Sequence, residues 1–473
     1  MNGTSEPFWI DAAEMLTLAI LISAGLQNLL HMLQLGIAAA ALRSRPPIVD
    51  PALVYKRYAP IAPPISVVAP AFNEERTILA SARSMLALDY PRYDVIVVND
   101  GSTDATLAVL DREYALERVS EELEILIPHK PVHAVYRSRA DPRLFVIDKV
   151  NGGKADAQNA GIALSRATHF CIVDGDTILE RGALIRAIVP FLEDADRMVA
   201  VGGTLRVANG VDIHDAAVSR VQVSKRFLPR VQIVEYLRSF LMGRLAWSRI
   251  NALMIISGAF GLFRRDVVME IGGYTTGSLG EDLDIVVRLH RHLIETRRDY
   301  RVGFVPEPAC WTEVPESLRV LARQRARWQN GALECFFGNK RMALNPRYGR
   351  VGILGFGHML LVDLIGPIME VLGYFALPLF WYFGVLSVDH LIAFTALVFG
   401  LGTFTSIASL LLAEYQLRPY PRVGDLMKLG SAAILENFGY RQLHNFWRLW
   451  GWWQYLTKQH SWGEMPRMGF PSD

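Results

Sequence analysis

The chain has 473 residues, 51% hydrophobic and 20% charged, with a mean hydropathy of +0.21. That mixture suits a polar domain joined to apolar spans better than either alone. Lys plus Arg (49) nearly balance Asp plus Glu (47), and a formal charge of +2 excludes nucleic acid as a partner chosen by bulk charge.

From Ala12 to Leu42 the sequence is mostly apolar and free of Lys and Arg. It exceeds the ~20 residues needed to cross a bilayer, so one tilted span is expected. Glu6, Asp11 and Glu14 precede or open it, and the absence of a basic start argues against a cleaved signal peptide. Arg43, Arg45, Lys56 and Arg57 follow it, so the positive-inside rule puts the next region in the cytoplasm.

Between about Arg43 and Arg350, short β-branched runs alternate with amphipathic stretches, the pattern of a mainly parallel sheet covered by helices. In such α/β domains ligands bind beyond the carboxyl ends of the strands. The first strand, Ile65 to Ala69, ends in Pro70-Ala71-Phe72-Asn73-Glu74-Glu75, and the second, Asp94 to Val98, ends in Asn99-Asp100-Gly101-Ser102-Thr103-Asp104. Taken singly, each loop is explained by ordinary turn and helix-cap chemistry. Asn151-Gly152-Gly153-Lys154 then puts glycines and a lysine at a helix start, a place suited to phosphate oxygens.

A further strand, His169 to Val173, runs into Asp174-Gly175-Asp176. Two carboxylates one residue apart at a strand end can hold Mg²⁺ or Mn²⁺ from one side, with pyrophosphate oxygens as the remaining ligands. Ser257-Gly258-Ala259-Phe260-Gly261 follows, and Gly280-Glu281-Asp282-Leu283-Asp284 opens an amphipathic helix. Complementing that helix's dipole accounts for its acidity but not for the whole set. Gln324-Arg325-Ala326-Arg327-Trp328 ends the region; Arg319, Arg323 and Arg327, spaced i, i+4, fall on one helix side as a basic face near the membrane. Cys171, Cys310 and Cys335 show no paired metal-ligand spacing and read as packing residues.

Beyond Arg350 the chain turns apolar from Val351 to Leu386 and from Leu391 to Leu412, read as an interfacial lead-in helix and two spans. Asp363 and Glu370 fall in the first stretch, where carboxylates need protein, water or a polar ligand; the alternative for Asp363 is the headgroup level. The Trp-rich tail from Asn437 to Trp462 reads as a helix lying in the interface, and the stretch from Leu426 onward leaves room for a further hairpin or re-entrant segment.

Five motifs in this order, from Asn73 to Trp328, resemble the processive family 2 glycosyltransferases, the group containing hyaluronan, chitin, cellulose and poly-N-acetylglucosamine synthases. Gln324, Arg327 and Trp328 carry the most specific motif. The resemblance implies a GT-A-like (Rossmann-like) cytoplasmic domain at 46–345, an N-terminal transmembrane anchor at 1–45, and transmembrane and interfacial helices at 346–473. It implies that Glu74 and Asp100 hold a uridine, that Lys154 helps with the nucleotide, and that Asp174 and Asp176 manage a metal, Mg²⁺ or Mn²⁺, and the diphosphate. Asp282 becomes the general base with Glu281 beside it, and Gln324, Arg327 and Trp328 close over diphosphate and acceptor. The expected reaction is inverting transfer from a UDP-sugar, UDP-GlcNAc or UDP-glucose, to a growing β-linked polysaccharide at the inner membrane. Few spans leave room for an accessory membrane subunit. The alternative is a non-processive synthase that adds one sugar to a membrane lipid. Two departures stand out: Asn99 precedes Asp100 where many relatives carry two aspartates, and Gly280 stands where several carry Thr.

Overall fold

The structure is a computed structural model that describes residues 8–44, 50–121, 123, 127–214, 217–418, 420 and 422–458. Glu6, Arg45 and Trp462, used in the sequence reading, lie outside them. Twelve strands occur among the described residues: β1 (Ile65–Ala71), β2 (Tyr93–Asn99), β3 (Leu116–Val119), β4 (Val132–Ser138), β5 (Leu144–Lys149), β6 (His169–Ile172), β7 (Ile178–Leu179), β8 (Met198–Val207), β9 (Asp212–His214), β10 (Ala217–Arg220), β11 (Gly261–Arg264) and β12 (Arg301–Thr312).

Ten of them make one sheet in the order β3-β4-β5-β2-β1-β6-β11-β8-β12-β7, and β9 and β10 pair as a hairpin. The sheet is mixed, which corrects the expectation of a mainly parallel one. β5, β2, β1 and β6 run parallel, but β11 enters between β6 and β8 antiparallel to both. Its position is fixed by packing: Phe263 of β11 stacks on Phe170 of β6, ring centroids 5.5 Å apart, and both are buried. Val67, Val68, Val95, Val97 and Val146 supply the fully buried β-branched runs that the central strands require. Cys171, Cys310 and Cys335 are all buried and free, as expected of packing residues.

Among the described residues three helices are long and apolar enough to cross a membrane: Ile10–Arg43, Val351–Tyr382 and Val388–Tyr415. Met15, Leu18, Ile22, Leu29 and Leu33 on the first are exposed, which water would penalise and lipid would not. The separate lead-in helix expected after Arg350 is not a separate element. Val351–Gly355 and Met359–Leu364 are wide π-type turns continuous with Phe356–His358 and Ile365–Tyr382. Such turns free backbone carbonyls, and here side chains take them up: Gln329 Nε2 and the Arg448 guanidinium donate to the carbonyl of Asp363, and Trp452 Nε1 to that of Leu364 at 3.1 Å. The Trp-rich helix, expected to lie in an interface, spans Tyr440–Leu456. It packs on the helix Leu318–Gly338, with Gly451 against Ala326.

Candidate active site

One cavity of about 2140 Å³ runs from the loops after β1 and β2 to the apolar helices. Its walls include Glu74, Asp100, Lys154, Asp174, Asp176, Glu281, Asp282, Gln324, Arg327 and Trp328, so every expected site residue meets there.

The loops after β1 and β2 are stitched together. Asn73, in the left-handed region at φ 56, accepts from the Thr103 amide at 2.8 Å, and the Glu74 and Glu75 amides donate to Thr106 and Asp104. Turn chemistry thus fixes this wall and sets Glu74 on it.

Asp100 is 2% exposed, and its carboxylate is already engaged. Oδ1 accepts from Lys149 Nζ at 2.7 Å and from the Gly152 amide at 3.0 Å, while Oδ2 accepts from the Gly153 amide at 2.7 Å. The amides of Gly152 and Gly153, at the helix start suited to phosphate oxygens, are therefore held by Asp100. Lys149, fully buried, also pairs with Asp156 at 2.5 Å and donates to the Val150 carbonyl at 2.7 Å. A buried ammonium persists only with such compensation. Nothing local in the sequence marks Lys149 for this role, since its carboxylate partners lie 49 and 7 positions away.

At the opening of the next helix, Lys154 Nζ gathers three carboxylates: Asp174 at 2.9 Å, Glu281 at 3.0 Å and Asp282 at 3.7 Å. Burial works against the lysine's charge, yet these neighbours hold its pKa well above the ordinary value. Burial also pushes the Asp282 carboxyl up to about 7, with Lys154 opposing and Glu281 and Asp174 adding to the rise. The Gly258 amide donates to Asp282 Oδ2 at 2.8 Å and aims it into the cavity.

Asp174 and Asp176 flank Gly175, whose α-carbon lies so close to the Pro70 carbonyl that a side chain there would meet it at 2.7 Å. Among the described residues no group of three or more His, Cys, Asp or Glu side chains is preassembled for a metal. The donor set nonetheless fits a hard divalent cation: two carboxylates on one turn, facing a cavity where phosphate oxygens would supply further ligands.

The acidic turn and the Gln-x-x-Arg-Trp helix meet through two glycines. A side chain at Gly280 would meet the Gly331 carbonyl oxygen at 2.9 Å, and one at Gly331 would meet the Gly280 nitrogen at 2.8 Å. Gly280, where several relatives carry Thr, is therefore required by this close approach. Leu279 N donates to Glu334 Oε2 at 3.0 Å across the same seam. Of the three aligned arginines only Arg327 lines the cavity, and Arg319 is exposed, so the basic face is divided between wall and surface. Trp328 is 43% exposed.

Residues 66–272 match the family described as Glycosyl transferase family 2. They form a glycosyl transferase family 2 domain. Over 270 residues the chain is 28% identical to a poly-beta-1,6-N-acetyl-D-glucosamine synthase of Staphylococcus epidermidis, covering 57% of this chain and 55% of that protein. Over 291 residues it is 28% identical to the Staphylococcus aureus synthase, covering 60% and 59%. The chain thus spans less than two thirds of the curated relatives' length. A mannosyltransferase from Pyrobaculum calidifontis, solved with GDP-Man and Mn²⁺, superposes with a TM-score of 0.55 at 19% identity over 95% of this chain and 99% of that one, a likeness of fold. The family 2 domain so matched contains Glu74, Asp100, Lys154, Asp174 and Asp176; Glu281, Asp282 and the 318–338 helix lie beyond it and join it through Lys154 and the glycine seam.

The far end of the cavity was not legible. Gln27, Asn28, His31 and Gln34 form a polar stripe on the N-terminal helix, which the sequence reading took only as an anchor. Gln34 Nε2 lies 3.2 Å from His358 Nε2, and His358 Nδ1 lies 3.4 Å from Asp363. Glu370, also on the wall, accepts from Asn445 at 2.6 Å and from the Tyr374 hydroxyl at 3.2 Å. The i, i+1, i+4, i+7 spacing of 27, 28, 31 and 34, which falls on one helix face, was the available signal.

Proposed function

We propose that this chain is a membrane glycosyltransferase that moves sugar from a UDP-sugar to a growing β-linked polysaccharide at the cytoplasmic membrane face, with export through the same cavity. The observation that carries this reading is the cluster of Asp174, Glu281 and Asp282 around Lys154, set where the family 2 domain opens toward the apolar helices. The synthase activity of the staphylococcal relatives supports a UDP-N-acetylglucosamine donor.

Glu74 and the stitched loops would bind the nucleoside, while Asp100 acts indirectly by fixing the Gly152–Lys154 turn. Asp174 and Asp176 would hold Mg²⁺ or Mn²⁺, which when bound neutralises charge on the departing diphosphate. Arg327 and Trp328 would close on that diphosphate and on the acceptor sugar. Asp282 takes the acceptor hydroxyl's proton at Oδ1 or Oδ2 as the hydroxyl oxygen attacks the anomeric carbon, a contribution of typically ~10² to 10⁴. A single displacement inverts an α-linked donor to a β-glycoside. Lys154 keeps the carboxylate cluster together, and the Gly258 amide orients the base.

Membranes containing the protein are incubated with UDP-N-acetylglucosamine, UDP-glucose or UDP-glucuronate and Mn²⁺ or Mg²⁺, and labelled product is sized. A long, metal-dependent polymer from one donor supports the reading. A single-sugar lipid-soluble product would replace it with glycolipid synthesis, and no transfer from any donor would remove it.

A further inference from the structure

On the membrane side of Asp282 the cavity wall carries two guanidinium groups whose donors the protein does not satisfy. Arg325 is 1% exposed; its Nη2 pairs with Glu235 Oε2 at 2.8 Å, but its Nε and Nη1 have no hydrogen-bond partner among the described residues. Glu235 is further committed to the Tyr440 hydroxyl at 3.0 Å. Arg244 ends the π-type segment Leu237–Arg244 and lies over the Phe240 ring, 3.5 Å from its centroid. Among the described residues no carboxylate comes within ion-pair distance of it, and the one whose field it feels is Asp282. Tyr236 lies in the field of both arginines and also lines the cavity.

The carboxylates around this group are thus Glu235, engaged by Arg325 and Tyr440, and Asp282, Asp174 and Glu281, which share Lys154. Arg244 has no ion pair among the described residues, and Arg325, stacked over the Trp328 ring at 4.2 Å, keeps its Nε and Nη1 donors unmet beside a large cavity. A sugar hydroxyl offers an acceptor but no charge. A phosphate ester offers both, in the geometry a guanidinium fork accepts. A π-type segment, which often marks functional sites, delivers Arg244 there.

We propose that Arg244 and Arg325, with Tyr236 between them, form an anion-binding subsite on the acceptor side of Asp282 that takes a phosphate ester carried by the acceptor. The assignment of sides rests on the transferase reading above. The phosphate belongs either to a membrane lipid or to the end of a soluble saccharide, and the arms of the test separate the two.

The full chain is placed in phosphatidylcholine nanodiscs with UDP and Mn²⁺ saturating the donor side, and binding of labelled inorganic phosphate is measured by equilibrium dialysis. Arg244 is the position to change, because removing Arg325 would leave Glu235 buried and unpaired. Wild type is expected to bind phosphate, Arg244→Gln to bind it about tenfold or more weakly, and Arg244→Lys to fall between, with UDP affinity equal in all three. Displacement of phosphate when phosphatidic acid is added to the nanodiscs assigns the lipid source; retention assigns the soluble one. The proposal is overturned if wild type binds no phosphate, if Arg244→Gln binds it equally well, or if UDP and phosphate affinities fall together. None of these readouts needs turnover, so a chain inactive with every donor would remove the transferase reading and leave phosphate binding as a separate result.

Discussion

The amide of Gly258 donates to Oδ2 of Asp282 at 2.8 Å across 24 residues of sequence, and the space above Gly258 is closed to any side chain. A methyl group at 258 would stand 2.6 and 2.7 Å from the two Asp282 oxygens and would run into Lys154 Nζ. Gly258→Ala is expected to displace the proposed base, Asp282, from its aim and to lower kcat by about a hundredfold, within the range of a lost general base. Overpacking adds a stability cost of ~1–3 kcal/mol. Steady-state kinetics with thermal unfolding separates the two, and an unchanged kcat would show that Asp282's aim does not matter.

With its carboxyl pushed up to about 7, Asp282 would serve as the proposed base only above that value. Transfer is expected to rise with pH through about 7 and then level, and Asp282→Asn is expected to abolish the rise together with turnover while keeping donor binding. Lys154 opposes the upward shift, so Lys154→Met is expected to move the acid limb to higher pH. A pH–rate profile of kcat/KM for wild type and Lys154→Met, with donor binding measured for Asp282→Asn, checks this; a limb that stays in place in Lys154→Met would detach the lysine from the proposed base.

Gly331 lets the 318–338 helix approach the acidic turn, with only 2.8 Å between its would-be side chain and the Gly280 nitrogen. Gly331→Ala is expected to cost ~1–3 kcal/mol and to lower transfer through the shift of Glu281 and Asp282. Gly451→Ala tests the second seam, where a side chain would overlap the Ala326 carbonyl and stand 2.7 Å from Gln329 Cβ. Calorimetry alongside a product assay distinguishes a stability loss alone from loss of register at the site.

His290 is fully buried between the Tyr300 hydroxyl at 2.6 Å and the Leu253 carbonyl at 2.8 Å, and burial lowers its pKa from about 6.5 to about 4. The unfolded chain binds a proton between these values that the folded one refuses. Stability is therefore complete above about pH 6.5 and falls as pH drops toward 4, by a total on the order of 3 kcal/mol. Unfolding of the detergent-solubilised protein at pH 7.5, 6 and 5 measures it, and equal midpoints across that range would contradict the assignment.

Particular residues show where sequence reasoning reached and where it stopped. Ile65–Ala69 and Asp94–Val98 are legible as strands because buried central strands need continuous β-branched runs, and the carboxylates at their ends stand where the site lies. Asp282 is legible as the start of a helix, Glu281–Glu295, and Gln324, Arg327 and Trp328 as part of another. The antiparallel insertion of β11 was not, since Gly261–Arg264 pairs equally well in either direction on local pattern alone.

Composition and period by themselves determined the apolar helices, the α/β character of the middle region and the order of the acidic motifs, because each depends on neighbours a few residues apart. Tertiary structure alone decided that Asp100 holds the Gly152 and Gly153 amides, that Lys154 ties Asp174 to Glu281 and Asp282, and that Gln27 to Gln34 line a wall instead of only anchoring it. Arg244 and Arg325 were settled there too. Whether a charged side chain is paired or left with unmet donors depends on which distant segment folds against it, and in a low-dielectric cavity that difference sets what the residue can bind.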